Sequence, residues 1–129
     1  MVIGRTDAAA AAPGQVHLTA EQARAAIDDE ERAILLSRGL ESAYARIAAL
    51  IATADKVTED DGKFLVLGRS IFPNNGWIEI GQAQWAHRVN EDALALKILG
   101  DVQARSAAFT PEEIDRARAL QSKLSSGPG

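Results

Sequence analysis

The sequence predicts an all-α fold, a small irregular helical bundle of five to six helices. Three observations favour it: apolar residues recur at spacings of three and four, helix-capping residues precede several of these segments, and alanine is abundant. A chain of 129 residues can bury a core without a disulfide or a metal. We therefore expect one helical domain over residues 16–124, between a disordered lead-in at 1–15 and a disordered tail at 125–129.

The composition argues against several classes of protein. The chain has no cysteine, which removes thiol catalysis, thiolate metal sites and a disulfide framework. No apolar run approaches the roughly 18 residues that a membrane span needs. The formal net charge of -4, from 14 basic and 18 acidic residues, is unfavourable for binding nucleic acid. We expect an acidic, cytoplasmic protein of a bacterial system, without membrane association.

The first helix start is marked by a capping box. The Thr19 hydroxyl can accept a hydrogen bond from the Gln22 amide, while the Gln22 side chain reaches back to the Thr19 backbone. This pattern predicts a helix that begins at Ala20. The four carboxylates at 28–31 are also typical of a helix N-terminus, so a second helix can restart at Asp28.

The clearest periodicity comes next. Apolar residues recur at spacings of four, four, three and four, as on one buried helical face, at Leu36, Leu40, Tyr44, Ile47 and Ile51. Gly39 interrupts this stretch at a cost of about 1 kcal/mol relative to alanine, but the apolar phase continues through it. We therefore expect one long helix from about 29 to 54 as the spine of the bundle, with a turn at Arg38-Gly39 as the alternative.

Segment 58–80 is open to two interpretations. A capping sequence at 58–61 and helical apolar spacing up to Pro73 favour a short helix. A hairpin near 64–80, with a type I′ turn at Asn75-Gly76, would instead give an α+β fold. The helix is favoured because the first arm of that hairpin does not alternate.

The remaining sequence predicts three further helices. The first covers 76–89 and buries Ile78, and Asn90 can cap the second. That second helix carries one apolar face, made of Leu94, Ile98 and Val102. The last has Thr110 as its cap and Pro111 at its first position.

No recognisable catalytic or metal-binding pattern occurs. His17 and His87 are the two histidines, and no spacing typical of zinc ligands is present. The acidic loop at 55–63 does not fit a calcium loop, because taking Gly62 as its sixth position puts Gly68 where a bidentate glutamate is required. We expect no cofactor, no metal and no catalytic residue, and a non-catalytic function is favoured over an enzyme.

Four of the six aromatic residues lie between positions 64 and 85, namely Phe64, Phe72, Trp77 and Trp85. Aromatic residues are enriched at interface hot spots, but in an alanine-rich bundle they also suit the core. Our hypothesis is a protein-interaction, adaptor or assembly module with a protein partner, or self-association along the face from 36 to 51. The expected partner surface consists of Phe72, Trp77, Ile78 and Trp85, with Trp77 the most exposed.

Two other functions stay open. Segment 82–99 has the spacing of a weak helix-turn-helix in which Arg88 and Lys97 would contact DNA phosphates, although the acidic start of its second helix opposes this. A small ligand-binding protein would have a cavity between the spine helix and the aromatic segment, with Tyr44, Glu79 or His87 pointing into it.

Overall fold

A computed structural model of the chain describes residues 18–126, and within them the fold is an all-α bundle, as predicted. Its elements are α1 (Ala20–Leu36), α2 (Glu41–Leu50), α3 (Glu59–Ile71), α4 (Gly76–Arg88), α5 (Asp92–Ala104), a 3-10 turn (Ser106–Ala108) and α6 (Pro111–Ser126). The hairpin alternative is wrong, since residues 64–80 lie mainly in α3 and α4.

The structure describes part of the predicted C-terminal tail but none of the predicted N-terminal lead-in. The lead-in at 1–15, and His17, lie outside the described residues. Helix α6 continues through Ser126, two residues into the segment predicted as a disordered tail. None of the helices in residues 18–126 has the length and apolarity needed to cross a bilayer.

Three of the six helices begin with a reciprocal cap. In each, a threonine hydroxyl accepts a hydrogen bond from the backbone N–H three residues on, and that residue's side chain accepts one from the threonine N–H. The pairs are Thr19 with Gln22, Thr58 with Asp61, and Thr110 with Glu113. The start of α5 differs from its prediction, because Asn90 makes no cap and instead adopts a left-handed backbone conformation with φ of 65°.

The predicted long helix from 29 to 54 is wrong. Helix α1 runs without a break past Asp28 to Leu36, and the chain then turns at Arg38-Gly39, which was the alternative. Leu36 is 89% exposed and Leu40 is also exposed, so neither belongs to the buried face that their spacing suggested.

Packing explains why the chain turns where the apolar phase continues. Helix α2 returns antiparallel to α1, since Arg46 pairs with Glu30 at 3.4 Å and the Asp55 N–H donates to the Ala20 carbonyl at 3.1 Å. The turn brings the apolar faces of the two helices together, whereas a continuous helix would leave each without the other. Tyr44, predicted to point inward, is fully buried by this arrangement.

The central element is α4 rather than the predicted spine. Nine of its thirteen residues are buried, and it packs against α2, α3, α5 and α6.

Two hydrophobic clusters each include residues of α4. The first joins Ile78 to α1, α2 and α3, and includes Ala23, Ile27, Ile34, Tyr44, Ile47, Leu50, Ile51 and Leu65. The second lies between α4, α5 and α6, and includes Ile80, Ala83, Ala86, Ala95, Ile98, Leu99, Val102, Ile114 and Ala117.

Helices α2 and α4 cross at very short range. A Cβ atom placed on Gly81 would lie 2.5 Å from the Cα atom of Ala48, closer than side-chain atoms approach backbone in proteins. Glycine at 81 and alanine at 48 therefore set the spacing of the two helices.

Candidate functional site

The four residues expected to bind a partner do not form one accessible surface. Ile78 is 0% exposed and belongs to the first hydrophobic cluster, whereas its neighbour Trp77 packs, partly exposed, against the second. Phe72 packs against the Tyr44 ring, with 5.9 Å between centroids. The indole of Trp85 donates to the Thr58 carbonyl at 2.8 Å. Each of these side chains contributes to packing between helices.

The two residues of the DNA-binding alternative differ in their surroundings. The Arg88 guanidinium donates to the Ile51 carbonyl at 2.9 Å and to the Ala54 carbonyl, so it closes the end of α2. Lys97 is exposed on α5. Because its donors bind backbone oxygens, Arg88 serves a structural role rather than forming a free phosphate contact.

The three residues of the ligand-binding alternative lie in different places. Tyr44 is buried, and its hydroxyl donates to the Arg38 carbonyl at 2.8 Å. Glu79 is also fully buried, and accepts two hydrogen bonds from Arg105 at 2.6 and 2.8 Å. His87 stands two turns further along α4 and lines a separate cavity. Glu79 lines a different cavity, with Val66, Arg69 and Arg105, so these residues, which were predicted as alternatives, do not share one site.

A groove between α1 and α3 is the candidate site that the structure does present. The two helices run in the same direction and enclose about 460 Å³. We call it the α1–α3 groove, and its lining consists of Asp28, Glu31, Arg32, Leu35, Asp60, Lys63, Phe64 and Leu67. It has an acidic end near the start of α3 and an apolar end near the C-terminus of α1.

A buried ion pair lies beneath the acidic end. The Arg24 guanidinium binds both oxygens of Asp61, at 2.7 and 2.9 Å, and also donates to Asp28 at 2.7 Å. Asp61 is fully buried and is at the same time the third residue of the capping box with Thr58. Burial opposes ionisation of Asp61, yet the hydrogen bonds from Arg24, Glu31 and Thr58 lower its pKa to about 2.

Glu31 completes this cluster from the floor of the groove. Burial, and then the neighbouring Asp61 carboxylate, raise the pKa of Glu31 to about 8. Its Oε2 atom is buried and has no hydrogen-bond partner among the described residues. Burial and the charged Asp61 therefore favour the protonated form of Glu31 at neutral pH.

Replacing Glu31 by glutamine is expected to weaken the pH dependence of stability. The folded state holds the Glu31 proton up to about pH 8, whereas an unfolded chain loses it near the ordinary value of 4.5. This group's stabilisation is therefore complete below pH 4.5 and falls as the pH rises towards 8. Between pH 5 and pH 8 we expect a loss of about 3–4 kcal/mol of unfolding free energy in the wild type.

Urea unfolding of the wild type and E31Q at several pH values measures this difference. Glutamine keeps the shape and the donor, so the loss should largely disappear in E31Q, while E21Q, which alters an exposed carboxyl on the same helix, should behave as the wild type. An identical pH slope in the wild type and E31Q would contradict the assignment.

The apolar end of the groove is open to solvent. Leu35 is 70% exposed although it faces Phe64 and Leu67 across the groove. Sequence reasoning missed Leu35, but a signal was present. Three consecutive apolar residues at 34–36 cannot all lie on the buried face of one helix.

Within residues 18–126, no group of three or more histidine or acidic side chains is arranged to hold a metal ion. The comparison of the chain with known protein families, curated proteins and solved structures gives no match.

Proposed function

We propose that the protein is a non-catalytic protein-binding module whose partner is an amphipathic helix bearing basic residues, held in the α1–α3 groove. The observation that carries this is Leu35, a large apolar side chain 70% exposed opposite Phe64 and Leu67. Apolar surface left open beside a groove is typical of interaction sites. A helix laid into an apolar groove is a recurrent way for proteins to recognise one another.

The charged residues around the groove indicate the sign of the charge that the partner carries. Acidic residues from both helices line it, Asp28 and Glu31 on α1 and Asp60 on α3, and so does the basic Lys63. Arg24 and Arg32 are already paired with Asp28 and Asp29. Asp60 makes no ion pair within the described residues, so a basic side chain of the partner would find it available. Such complementarity favours the correct partner and its orientation.

The length of the groove sets a spacing on the partner. Asp60 and Leu67, which both line the groove, are seven residues apart on α3, which is about 10 Å along the helix axis. A partner helix therefore needs its basic residue about two turns from its apolar anchors. This requirement separates a specific ligand from a generally basic peptide.

Substitution of Leu35 by aspartate is expected to weaken binding at least tenfold. The probe is a synthetic leucine–lysine amphipathic peptide, titrated into the isotopically labelled protein and followed by amide chemical shifts. Shift changes should concentrate on α1 and α3 near the groove. The matched control is V66D, because Val66 is an exposed apolar residue on α3 that does not line the groove.

Three outcomes would contradict the proposal. One is equal weakening by L35D and V66D, and another is equally tight binding of a leucine–glutamate peptide. The third is a dimer, detected by sedimentation of the protein alone, that L35D dissolves, since this would assign the groove to a second copy of the chain.

A further inference from the structure

A second cavity combines positive charge with an unpartnered polar group. It lies between the C-terminal half of α4 and α6 and has a volume of about 550 Å³, within the range of small-molecule sites. Its charged and titratable lining residues are His87, Arg88, Arg116 and Lys123. No carboxylate lines it, although the chain as a whole has a net charge of -4.

One face of helix α6 lines this cavity. Arg116, Leu120 and Lys123 follow one another at spacings of four and three, so they share a face of the helix. Arg116 makes no hydrogen bond or ion pair with the described residues. Its planar guanidinium can therefore bind two oxygens of one ligand group, as arginine does with phosphates and carboxylates.

The opposite wall is fixed by α4. The Arg88 guanidinium is held by the carbonyl oxygens of Ile51 and Ala54, so its charge stays beside the cavity without a carboxylate to neutralise it. The Nδ1 atom of His87 lies 2.7 Å from the Oδ1 atom of Asp92, with which it forms a hydrogen bond. Positive charge thus borders the cavity from two helices that are separate in sequence.

Gln84 offers a polar amide to a ligand. Its side chain lines the cavity, the residue is only 9% exposed, and it makes no hydrogen bond to any described residue. Its amide atoms are not fully buried, so they are open to the cavity rather than sealed in the core. Since an amide both donates and accepts, it suits a hydroxyl or an amide group of a bound molecule.

We propose that this cavity binds a small phosphorylated molecule. Its phosphate would lie against Arg116, and a hydroxyl or amide of the same molecule would bind Gln84. The two guanidinium groups that border the cavity, those of Arg88 and Arg116, match the two charges of a phosphomonoester better than the single charge of a carboxylate. The inference does not depend on the proposed function, because the α1–α3 groove shares no lining residue with this cavity.

Calorimetry on the full chain tests the proposal with named probes: inorganic phosphate, ribose 5-phosphate and AMP, each organic phosphate beside its dephosphorylated counterpart. At least one phosphomonoester should bind, and at least tenfold more tightly than ribose or adenosine. R116Q should weaken that binding at least tenfold. R118Q should leave it unchanged, because Arg118 is exposed on the same helix but outside the cavity.

A second variant tests the other half of the site. Q84L should weaken the organic phosphate more than inorganic phosphate, because only the former carries a group for the amide. Circular dichroism of each variant checks that the fold is kept.

The proposal is overturned if none of the three phosphates binds, or if R118Q weakens binding as much as R116Q. It is also overturned if duplex DNA or anionic phospholipid vesicles bind through Arg116 while the free phosphates do not. Those results would assign the charge to a nucleic acid or to a membrane surface.

Discussion

Replacing Asp61 by alanine is expected to lower the unfolding free energy by about 3–5 kcal/mol, the usual effect of removing one partner of a buried ion pair. Arg24 would remain buried with Asp28 as its nearest carboxylate, and two short hydrogen bonds would be lost. Thr58 would also lose its capping partner, which adds to the loss at the start of α3.

The neighbouring residue supplies the control. Asp60 is exposed and lies next to Asp61 on the same helix, so D60A should change stability by less than about 0.5 kcal/mol. Chemical denaturation at pH 7 measures both variants. A loss in D61A no larger than that in D60A would show that the Arg24 pair is not stabilising.

Two further measurements separate the effect of the Arg24–Asp61 ion pair on stability from the effect of the helix cap at Thr58. Replacing both partners, as in R24M/D61L, should cost less than D61A alone, because it leaves no buried charge without a counterpart. Acid titration of the wild type adds a signature. The pKa of Asp61 is lowered to about 2, so its stabilisation is present above about pH 4 and is lost as the pH falls towards 2.

Replacing Gly81 by alanine is expected to destabilise the protein by about 2–3 kcal/mol, the upper part of the range for overpacked cores. The added methyl group would meet the Ala48 backbone rather than the end of a flexible side chain, so α2 and α4 must separate. A valine at the same position should be more damaging, because its two further methyl groups widen the gap between the helices.

Gly100 provides the matched comparison for this substitution. It also lies inside a helix, α5, but a Cβ atom placed there would meet nothing within 4 Å. G100A should therefore be neutral or stabilising by up to about 1 kcal/mol, through helix propensity alone. Thermal unfolding of the two variants tests the difference, and similar melting temperatures for both would contradict the close crossing of α2 and α4.

Local signals in the sequence were sufficient for three of the helix starts. The capping boxes at Thr19, Thr58 and Thr110 depend on residues three apart, which interact in the same way whatever surrounds them. The all-α class follows from the same signals together with the apolar spacing.

The division between α1 and α2 could not be decided in this way. A Cβ atom placed on Gly39 would meet no atom within 4 Å, so the position does not require glycine for space. Leu36 and Leu40 continue the apolar phase on either side of it. Both a turn and a helix satisfy the local rules there. The choice depends on the contact of α2 with α1, and such a tertiary contact is not encoded in any short window of sequence.

The candidate sites were harder to predict for a related reason. Residue type suggested that Phe72 and Ile78 belong to a surface, but Ile78 is fully buried and Phe72 packs against the Tyr44 ring, and both depend on how the helices pack. The groove joins Leu35 to Leu67, and the second cavity joins Gln84 to Arg116. Each pair is more than 30 positions apart in the chain, so only the folded helices reveal it.

The position of α4 determines how the molecule can be divided. Three helices precede it and two follow, and both hydrophobic clusters include its residues. A cut before α4 leaves the first cluster without Ile78, and a cut after it leaves the second without Ile80, Ala83 and Ala86. Both hydrophobic clusters therefore depend on α4, so we expect the helices on its two sides, with the α1–α3 groove and the second cavity, to unfold in one cooperative transition.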